Sequence, residues 1–299
     1  MMPRSPRFRQ LLFILAAAAL GAGLLVYAVL QKQELAPEPP AEVEVEEGPV
    51  HATIGRSVEG RSIEAYTYGT GETHLLFVGG IHGGYEWNSV LLAYAFIDHL
   101  GANPEALPEN LSVTVIPALN PDGLYKVTGI EGRFAVADVS ETGPVGTGRF
   151  NANGVDLNRN FDCKWQPEGT WRGNVVSAGA APFSEPEAAA LRDYVLTVSP
   201  EAVVFWHSQA DAVYASECED GILPETLAVM DTYARAAGYT AVDAFDAYPV
   251  TGDAEGWLAS IGIPSISVEL ASHESVEWNR NRAGIEALLA RYGEGRVGR

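Results

Sequence analysis

From residue 60 onward the chain alternates short apolar segments with longer segments in which apolar residues recur at three- and four-residue spacing. The short segments are rich in β-branched and aromatic residues and end at glycine, proline or polar residues, as buried strands do. Strands that alternate with covering helices form a mixed, largely parallel sheet with helices on both faces, an α/β fold. We expect strands at 61–69, 74–80, 111–120, 202–208 and 265–270, and helices at 86–100, 185–198, 222–237 and 276–291.

Polar residues stand at the carboxyl ends of four of these predicted strands: His82, Asn120, His207 and Glu269. Ligands of open α/β sheets bind just outside this edge of the sheet. The four residues come from distant parts of the sequence, so we expect the sheet to bring them together in one cleft.

The N-terminus contains an apolar segment, "LLFILAAAALGAGLLVYAVL", at residues 11–30. At about 1.5 Å per helical residue it spans about 30 Å, the thickness of a bilayer core. Three arginines precede it within residues 1–10 and only Lys32 closely follows it, which keeps the N-terminus cytoplasmic. We therefore expect a cytoplasmic basic segment, a transmembrane signal anchor and an extracytoplasmic remainder. The alternative is a cleaved signal peptide and a secreted protein, but signal peptides usually have apolar regions of about 7 to 15 residues.

Beyond the apolar segment, residues 31–50 form an acidic, proline-rich linker, and we expect one catalytic domain at 51–299. The chain has 39 Asp and Glu against 19 Lys and Arg, a formal net charge of -20. This charge repels the phosphate backbone, so we expect no nucleic-acid partner.

The stretch "GGIHGGYEWN" places His82 and Glu86 in a glycine-rich turn directly after a predicted strand. With His207 they would form a set of two histidines and one carboxylate, a common arrangement for catalytic zinc. Gly83 and Gly84 would let the backbone bend tightly enough for both side chains to face one ion. The alternative is that Glu86 only begins a helix, where the helix dipole favours a carboxylate. We interpret the other histidines as surface or structural residues: His51, His74, His99 and His273.

The stretch "GVDLNRNF" at 154–161 places the amide of Asn158 beside the guanidinium of Arg159. Such a pair is suited to binding a carboxylate through charge-assisted hydrogen bonds. The alternative is a structural salt bridge within the loop.

Six motifs occur in an order that resembles the zinc carboxypeptidase family, typified by pancreatic carboxypeptidase A, and in particular its bacterial branch. They cover roughly residues 55–290: "GGIHGGYEW", "LNPDG", "GVDLNRNF", "PFSEPE", "FWHS" and "SVEL". The resemblance implies a metallopeptidase that binds one zinc ion. It implies zinc ligands at His82, Glu86 and His207, and a clamp on the substrate's terminal carboxylate at Asn158 and Arg159.

The resemblance also implies three catalytic residues. Arg149 matches the arginine that polarises the scissile carbonyl, Glu269 matches the general base, and Tyr248 matches the tyrosine that closes over bound substrate. It further places the floor of the specificity pocket near Asp253 and Glu255, which would attract a basic terminal side chain.

The chain departs from the family at the first ligand pair. The family usually spaces the pair as His-x-x-Glu, whereas three residues separate His82 from Glu86 here. We expect the glycine-rich turn to absorb the extra residue.

Three functions are therefore compatible with the sequence, and two of them are enzymatic. The first is a metallocarboxypeptidase acting on extracytoplasmic peptides, with a monomeric catalytic domain. The second is an amidase or endopeptidase of the same fold that acts on cell-wall peptides at diaminopimelate. The third is a metal-free module that only binds carboxylates.

The sequence contains two cysteines, Cys163 and Cys218. Export to an oxidising compartment would make them a candidate disulfide. Two buried thiols are the alternative.

Overall fold

The computed structural model describes residues 17–27, 48–140, 144–245 and 248–294. The chain divides into two units, Met1–Glu47 and Gly48–Arg299. In the first unit, residues 17–27 form helix α1. Among the described residues, none of the helices has the length and apolar character needed to cross a bilayer. The predicted anchor at 11–30 and linker at 31–50 lie mostly outside the described residues and stay predictions.

The second unit alternates strands and helices along the chain. Its strands are β1 (Val50–Arg56), β2 (Ser62–Tyr68), β3 (Thr73–Val78), β4 (Leu111–Ile116), β5 (Glu168–Trp171), β6 (Asn174–Ser177), β7 (Ala202–Ser208), β8 (Ala212–Ala215), β9 (Glu217–Cys218), β10 (Gly221–Ile222), β11 (Thr240–Val242) and β12 (Ser265–Leu270). Its helices are α2 (Trp87–Ala102), α3 (Pro121–Thr128), α4 (Pro186–Val198), α5 (Pro224–Ala237), α6 (Ala254–Ser260) and α7 (Trp278–Gly293).

Eight strands form one mixed sheet in the order β1-β2-β4-β3-β7-β12-β8-β11. Its centre is parallel, because β3 pairs in parallel with β4 and β7, and β7 pairs in parallel with β12. Antiparallel pairs flank this centre, between β1 and β2, β2 and β4, and β12 and β8. The predicted mixed, largely parallel sheet is therefore confirmed.

Apolar side chains fill both faces of the sheet, because successive strand residues point to opposite sides. Leu75 and Phe77 of β3 pack into a core with α2, α5 and α7. Leu76 and Val78 of the same strand pack into a second core with α4 and α6. These strands are continuously apolar because both of their faces are covered by helices.

The five expected strands and the four expected helices are all observed, and the structure contains further elements that were not predicted. The expected helix at 86–100 is observed as α2, and the expected helix at 276–291 as α7, both displaced by one or two residues. The elements that were not predicted are strands β1, β5, β6 and β8 to β11, and helices α3 and α6. Strand β1 has no buried residue, and helix α6 has only seven residues. Both lack an apolar pattern long enough to be recognised.

A disulfide joins Cys163 to Cys218, so the two cysteines are not buried thiols. Cys163 follows the short 3-10 helix Leu157–Arg159, and Cys218 lies in β9. The bond therefore ties the loop that contains Asn158 and Arg159 to the segment that follows β7.

Replacing both cysteines by serine should lower the free energy of unfolding by about 4 kcal/mol before strain. The bond closes a loop with a sequence separation of 55 residues, and the chain-entropy model relates stabilisation to loop length. Urea titrations of the native and double-variant proteins measure the difference, with mass spectrometry of non-reduced peptides to verify the bond. Two alkylatable thiols in the native protein, or equal unfolding free energies, would contradict this expectation.

Candidate active site

A cavity of about 710 Å³ opens at the carboxyl ends of the central parallel strands. The side chains predicted to bind metal, to catalyse and to bind substrate all line it: His82, Glu86, Arg149, Asn158, Arg159, His207, Tyr248, Asp253, Glu255 and Glu269. Because β3, β7 and β12 run in parallel, they deliver residues from distant parts of the chain to the same edge of the sheet.

The turn after β3 places His82 and Glu86 beside each other. Its residues Gly83–Glu86 form a short 3-10 helix that leads into α2. Gly83 has a φ of +48°, and a Cβ there would lie 2.6 Å from the carbonyl oxygen of Gly148. Only glycine fits such a backbone and such a close contact. The tight 3-10 helix thus accommodates the extra residue between the histidine and the glutamate.

The ligand atoms of His82, Glu86 and His207 all lie within 4.8 Å of one another. Their relative exposures are 4, 3 and 3%. Burial, together with the nearby Arg149, lowers the pKa of His82 well below its ordinary value, so this imidazole is neutral and can donate a lone pair. Two imidazoles and a carboxylate are a set that suits a zinc ion, and the buried negative charge favours a cation.

Asp156 lies beside His82 and accepts hydrogen bonds from Arg149. Its Oδ1 lies 3.6 Å from His82 Nδ1, and its Oδ2 accepts hydrogen bonds from Nε and Nη2 of Arg149 at 3.0 and 2.9 Å. Arg149 Nη1 lies 3.7 Å from Glu86 Oε1. The guanidinium is therefore held by Asp156, with its remaining nitrogen on the side of the candidate metal ligands.

His207 lies between two carboxylates. Its Nδ1 is 3.2 Å from Glu86 Oε2, and its Nε2 is 2.9 Å from Glu255 Oε1. Burial alone would lower the pKa of His207, but the hydrogen bonds to Glu255 and Glu86 outweigh burial and raise this pKa well above its ordinary value. The ring is thus fixed in orientation at both nitrogens.

Glu269 is paired across the sheet with His207, in the register of β12 against β7. Desolvation in the cleft raises the pKa of Glu269 to about 7; His207 opposes this shift, and the carboxylates of Glu86 and Glu255 add to it. A carboxyl group with a pKa near neutrality can both accept and return a proton, as a general base requires.

Arg159 is 3% exposed, and its Nη2 donates to the carbonyl oxygen of Thr170 at 3.2 Å. Its Nε is buried without a hydrogen-bond partner among the described residues. The neighbouring Asn158 accepts a hydrogen bond from the amide of Ala254 at 2.8 Å, which fixes the loop against α6. A buried guanidinium with an unsatisfied N–H favours an anionic ligand.

Tyr248 and Asp253 also line the cavity. The Tyr248 ring packs edge-on against Phe245 with centroids 4.8 Å apart. Asp253 is the N-cap of α6, where its carboxylate accepts from the amide of Gly256 at 2.7 Å. Burial and the neighbouring Glu255 raise the pKa of Asp253 to about 6.

The structure corrects two expectations. Asn120 does not line the cavity: it caps α3 by accepting from Gly123, and it donates to the carbonyl oxygen of Arg149. His273, which was expected to be a surface or structural residue, lines the cavity, where its Nδ1 lies 2.7 Å from Ser208 Oγ. His273 is in the loop after β12, so no strand pattern indicated its position.

Three aromatic side chains that were not predicted from the sequence also line the cavity: Tyr85, Trp171 and His273. The ring of Tyr85 lies 4.6 Å from that of His273 and 5.2 Å from that of Trp171. Arg149 also lies over the Trp171 ring, at 4.6 Å from its centroid. The signal available in the sequence was Tyr85 itself, one of the three residues between His82 and Glu86.

A family model described as zinc carboxypeptidase matches residues 50–292. The chain therefore belongs to the zinc carboxypeptidase family and is a zinc metallopeptidase.

Relatives in sequence include enzymes of two kinds. The chain is 28% identical to carboxypeptidase B of Astacus astacus over 243 residues, which is 78% of this chain and 75% of that protein. It is 25% identical to gamma-D-glutamyl-L-diamino acid endopeptidase 1 of Lysinibacillus sphaericus over 240 residues, which is 73% of this chain and 60% of that protein.

Solved structures share the fold. The match to murein-tripeptide amidase of Escherichia coli O157 has a TM-score of 0.56 at 24% identity and covers 82% of this chain and 92% of that chain. The match to carboxypeptidase A of Helicoverpa armigera has a TM-score of 0.63 at 21% identity, and it covers 83% of this chain and 69% of that chain.

Glu86→Gln should sharply lower zinc content, because an amide is a poor substitute for an anionic ligand. Glu269→Gln is the matched control: it makes the same chemical change in the same cavity, at a residue outside the metal-binding group. Elemental analysis of both purified variants gives the zinc stoichiometry. Unchanged zinc in Glu86→Gln would show that the unusual spacing has moved this residue out of the ligand set.

Proposed function

We propose that this member of the zinc carboxypeptidase family is a metallocarboxypeptidase that removes the C-terminal residue of extracytoplasmic peptides. The observation that carries the proposal is the buried guanidinium of Arg159, which lines the same cavity as the candidate metal ligands and whose Nε has no hydrogen-bond partner among the described residues. A substrate's terminal carboxylate would pair with this guanidinium. That contact would fix which peptide bond reaches the metal and Glu269, so it would assist the reaction through orientation.

The residues divide the chemistry among them. A zinc ion held by His82, Glu86 and His207 would supply a Lewis acid that polarises the scissile carbonyl and makes water more acidic. Glu269 would accept the proton of the attacking water and return it to the leaving amine. Arg149 would stabilise the negative charge that develops on the carbonyl oxygen.

The pocket chemistry favours a basic terminal side chain. Glu255 lines the cavity, and its Oε2 is buried without a partner among the described residues. An unpaired carboxylate oxygen attracts an ammonium or guanidinium group. At 4 Å and an effective dielectric of about 20 the Coulomb term is about 4 kcal/mol, part of which desolvation cancels.

The second candidate is a cell-wall amidase or endopeptidase. It is favoured by the similarity to gamma-D-glutamyl-L-diamino acid endopeptidase 1, because a diamino acid presents both a carboxylate for Arg159 and an amine for Glu255. A metal-free carboxylate-binding module is disfavoured, because the chain keeps a full set of metal-binding residues and a buried carboxylate suited to proton transfer.

We further propose that the enzyme is tethered to the membrane by residues 11–30 and acts outside the cytoplasm as a monomer. The apolar length of that segment and the preceding arginines support this location. The disulfide between Cys163 and Cys218 also supports it, since such bonds persist in oxidising compartments. Secretion after signal-peptide cleavage is the alternative.

A substrate panel tests the function and separates the two candidates. Purified protein is incubated with peptides ending in Lys, Arg, Phe and Ala, with their C-terminally amidated counterparts, and with muropeptides, with and without chelator. We expect chelator-sensitive release of the last residue from the free acids only, fastest for Lys and Arg. Cleavage confined to muropeptides would replace the carboxypeptidase proposal by the amidase. Equal cleavage of amidated peptides would contradict the role of Arg159.

Glu269→Gln should lower turnover of the preferred substrate by about 10²- to 10⁴-fold, because the proton carrier is lost. Steady-state kinetics on zinc-loaded protein measures this loss, and the zinc content of the same sample provides the control. Near-normal turnover with bound zinc would assign the proton transfer to another group.

A further inference from the structure

We propose that Glu255 is a positioning residue of the metal centre. It accepts a hydrogen bond from His207 Nε2–H, and so it fixes the tautomer and ring orientation in which Nδ1 faces the metal. This inference rests on the proposed metal-binding residues and is separate from the role of Glu255 in substrate preference.

The position of Glu255 follows from the first turn of α6. Asp253 caps this helix, and Glu255 is its second residue. The side chain enters the cleft with 3% exposure. Its Oε1 lies 2.9 Å from His207 Nε2 and accepts from Ser267 Oγ at 2.7 Å. Because Ser267 belongs to β12 and His207 to β7, this one oxygen connects the helix to both central strands.

The chemistry of imidazole explains what this contact does. A neutral histidine carries a proton on one ring nitrogen and a lone pair on the other. His207 Nδ1 lies 3.2 Å from Glu86 Oε2, so Nδ1 is the nitrogen on the side of the metal-binding carboxylate. When Nδ1 donates its lone pair, the proton must be on Nε2, where the acceptor within reach is Glu255. A carboxylate in this position holds the ring and raises the basicity of the ligand nitrogen.

The two metal-binding histidines are held differently. His82 Nδ1 lies 3.6 Å from Asp156 and makes no hydrogen bond within the described residues. The contact from His207 to Glu255 is 0.7 Å shorter, being 2.9 Å against 3.6 Å. Glu255 is therefore the carboxylate that constrains a metal-binding histidine most closely in this site.

The test measures zinc affinity by competition with a chromophoric chelator, independently of activity. Glu255→Ala removes the acceptor and should weaken zinc binding by about 10- to 100-fold. Glu255→Gln keeps a carbonyl oxygen at the same position and should recover part of the affinity, since neutral hydrogen bonds are about half as strong as charge-assisted ones.

Asp253→Asn is the matched control. It removes one negative charge from the same cavity and keeps an N-cap residue, and its side chain does not hydrogen-bond to His207. If the hydrogen bond between His207 and Glu255 supports zinc binding, and the negative charge of the cavity does not, the zinc affinity of Asp253→Asn should differ from that of the native protein by less than about twofold. The absorption spectrum of the cobalt-substituted protein should shift in Glu255→Ala and stay unchanged in Asp253→Asn.

The outcomes separate the inference from the proposed function. Absence of zinc binding by the native protein would overturn both. Tight zinc binding by the native protein with equal affinity in Glu255→Ala, or an equal loss in Asp253→Asn and Glu255→Gln, would overturn the inference alone. Thermal unfolding of the metal-free variants shows whether each is folded. If Glu255→Ala is unfolded, the comparison of Glu255→Gln with Asp253→Asn gives the result.

Discussion

The active site depends on the parallel alignment of three central strands. In the observed register, Glu269 of β12 lies beside His207 of β7, and β7 lies beside β3, whose following turn supplies His82 and Glu86. Side chains from three distant segments thereby meet at one edge of the sheet without any long loop to hold them. The helices on both faces bury these strands, so the candidate metal ligands are attached to the buried core of the domain.

The site also requires that the negative charges of its buried carboxylates be compensated. Glu86, Glu255 and Glu269 all line this cleft. Desolvation, together with the carboxylates of Glu86 and Glu255, raises the pKa of Glu269 to about 7. Carboxylates are costly to bury unless a cation or a donor pairs with them. Arg149 is already held by Asp156. A bound metal ion would compensate part of the negative charge of these carboxylates.

The sequence predicted those parts of the site that are fixed by local spacing. The positions of His82, His207 and Glu269 follow from strands whose buried character is evident, and the roles assigned by family resemblance remain predictions. It did not predict His273, which reaches the cavity from an irregular loop, or the aromatic contact of Tyr85. It also could not show that Glu255 contacts His207, since that distance depends on how α6 packs against β7 and β12. Contacts made by tertiary packing between loops leave no periodic signal.

The most direct test of this account is a crystal structure of the purified protein with anomalous diffraction measured on both sides of the zinc absorption edge. We expect one zinc peak at about 2.0 to 2.2 Å from one nitrogen of His82, one carboxylate oxygen of Glu86 and Nδ1 of His207. Nε2 of His207 should remain hydrogen-bonded to Glu255. A peak that Glu86 does not contact, a bond to Nε2 in place of Nδ1, or no peak in the cleft would contradict the account.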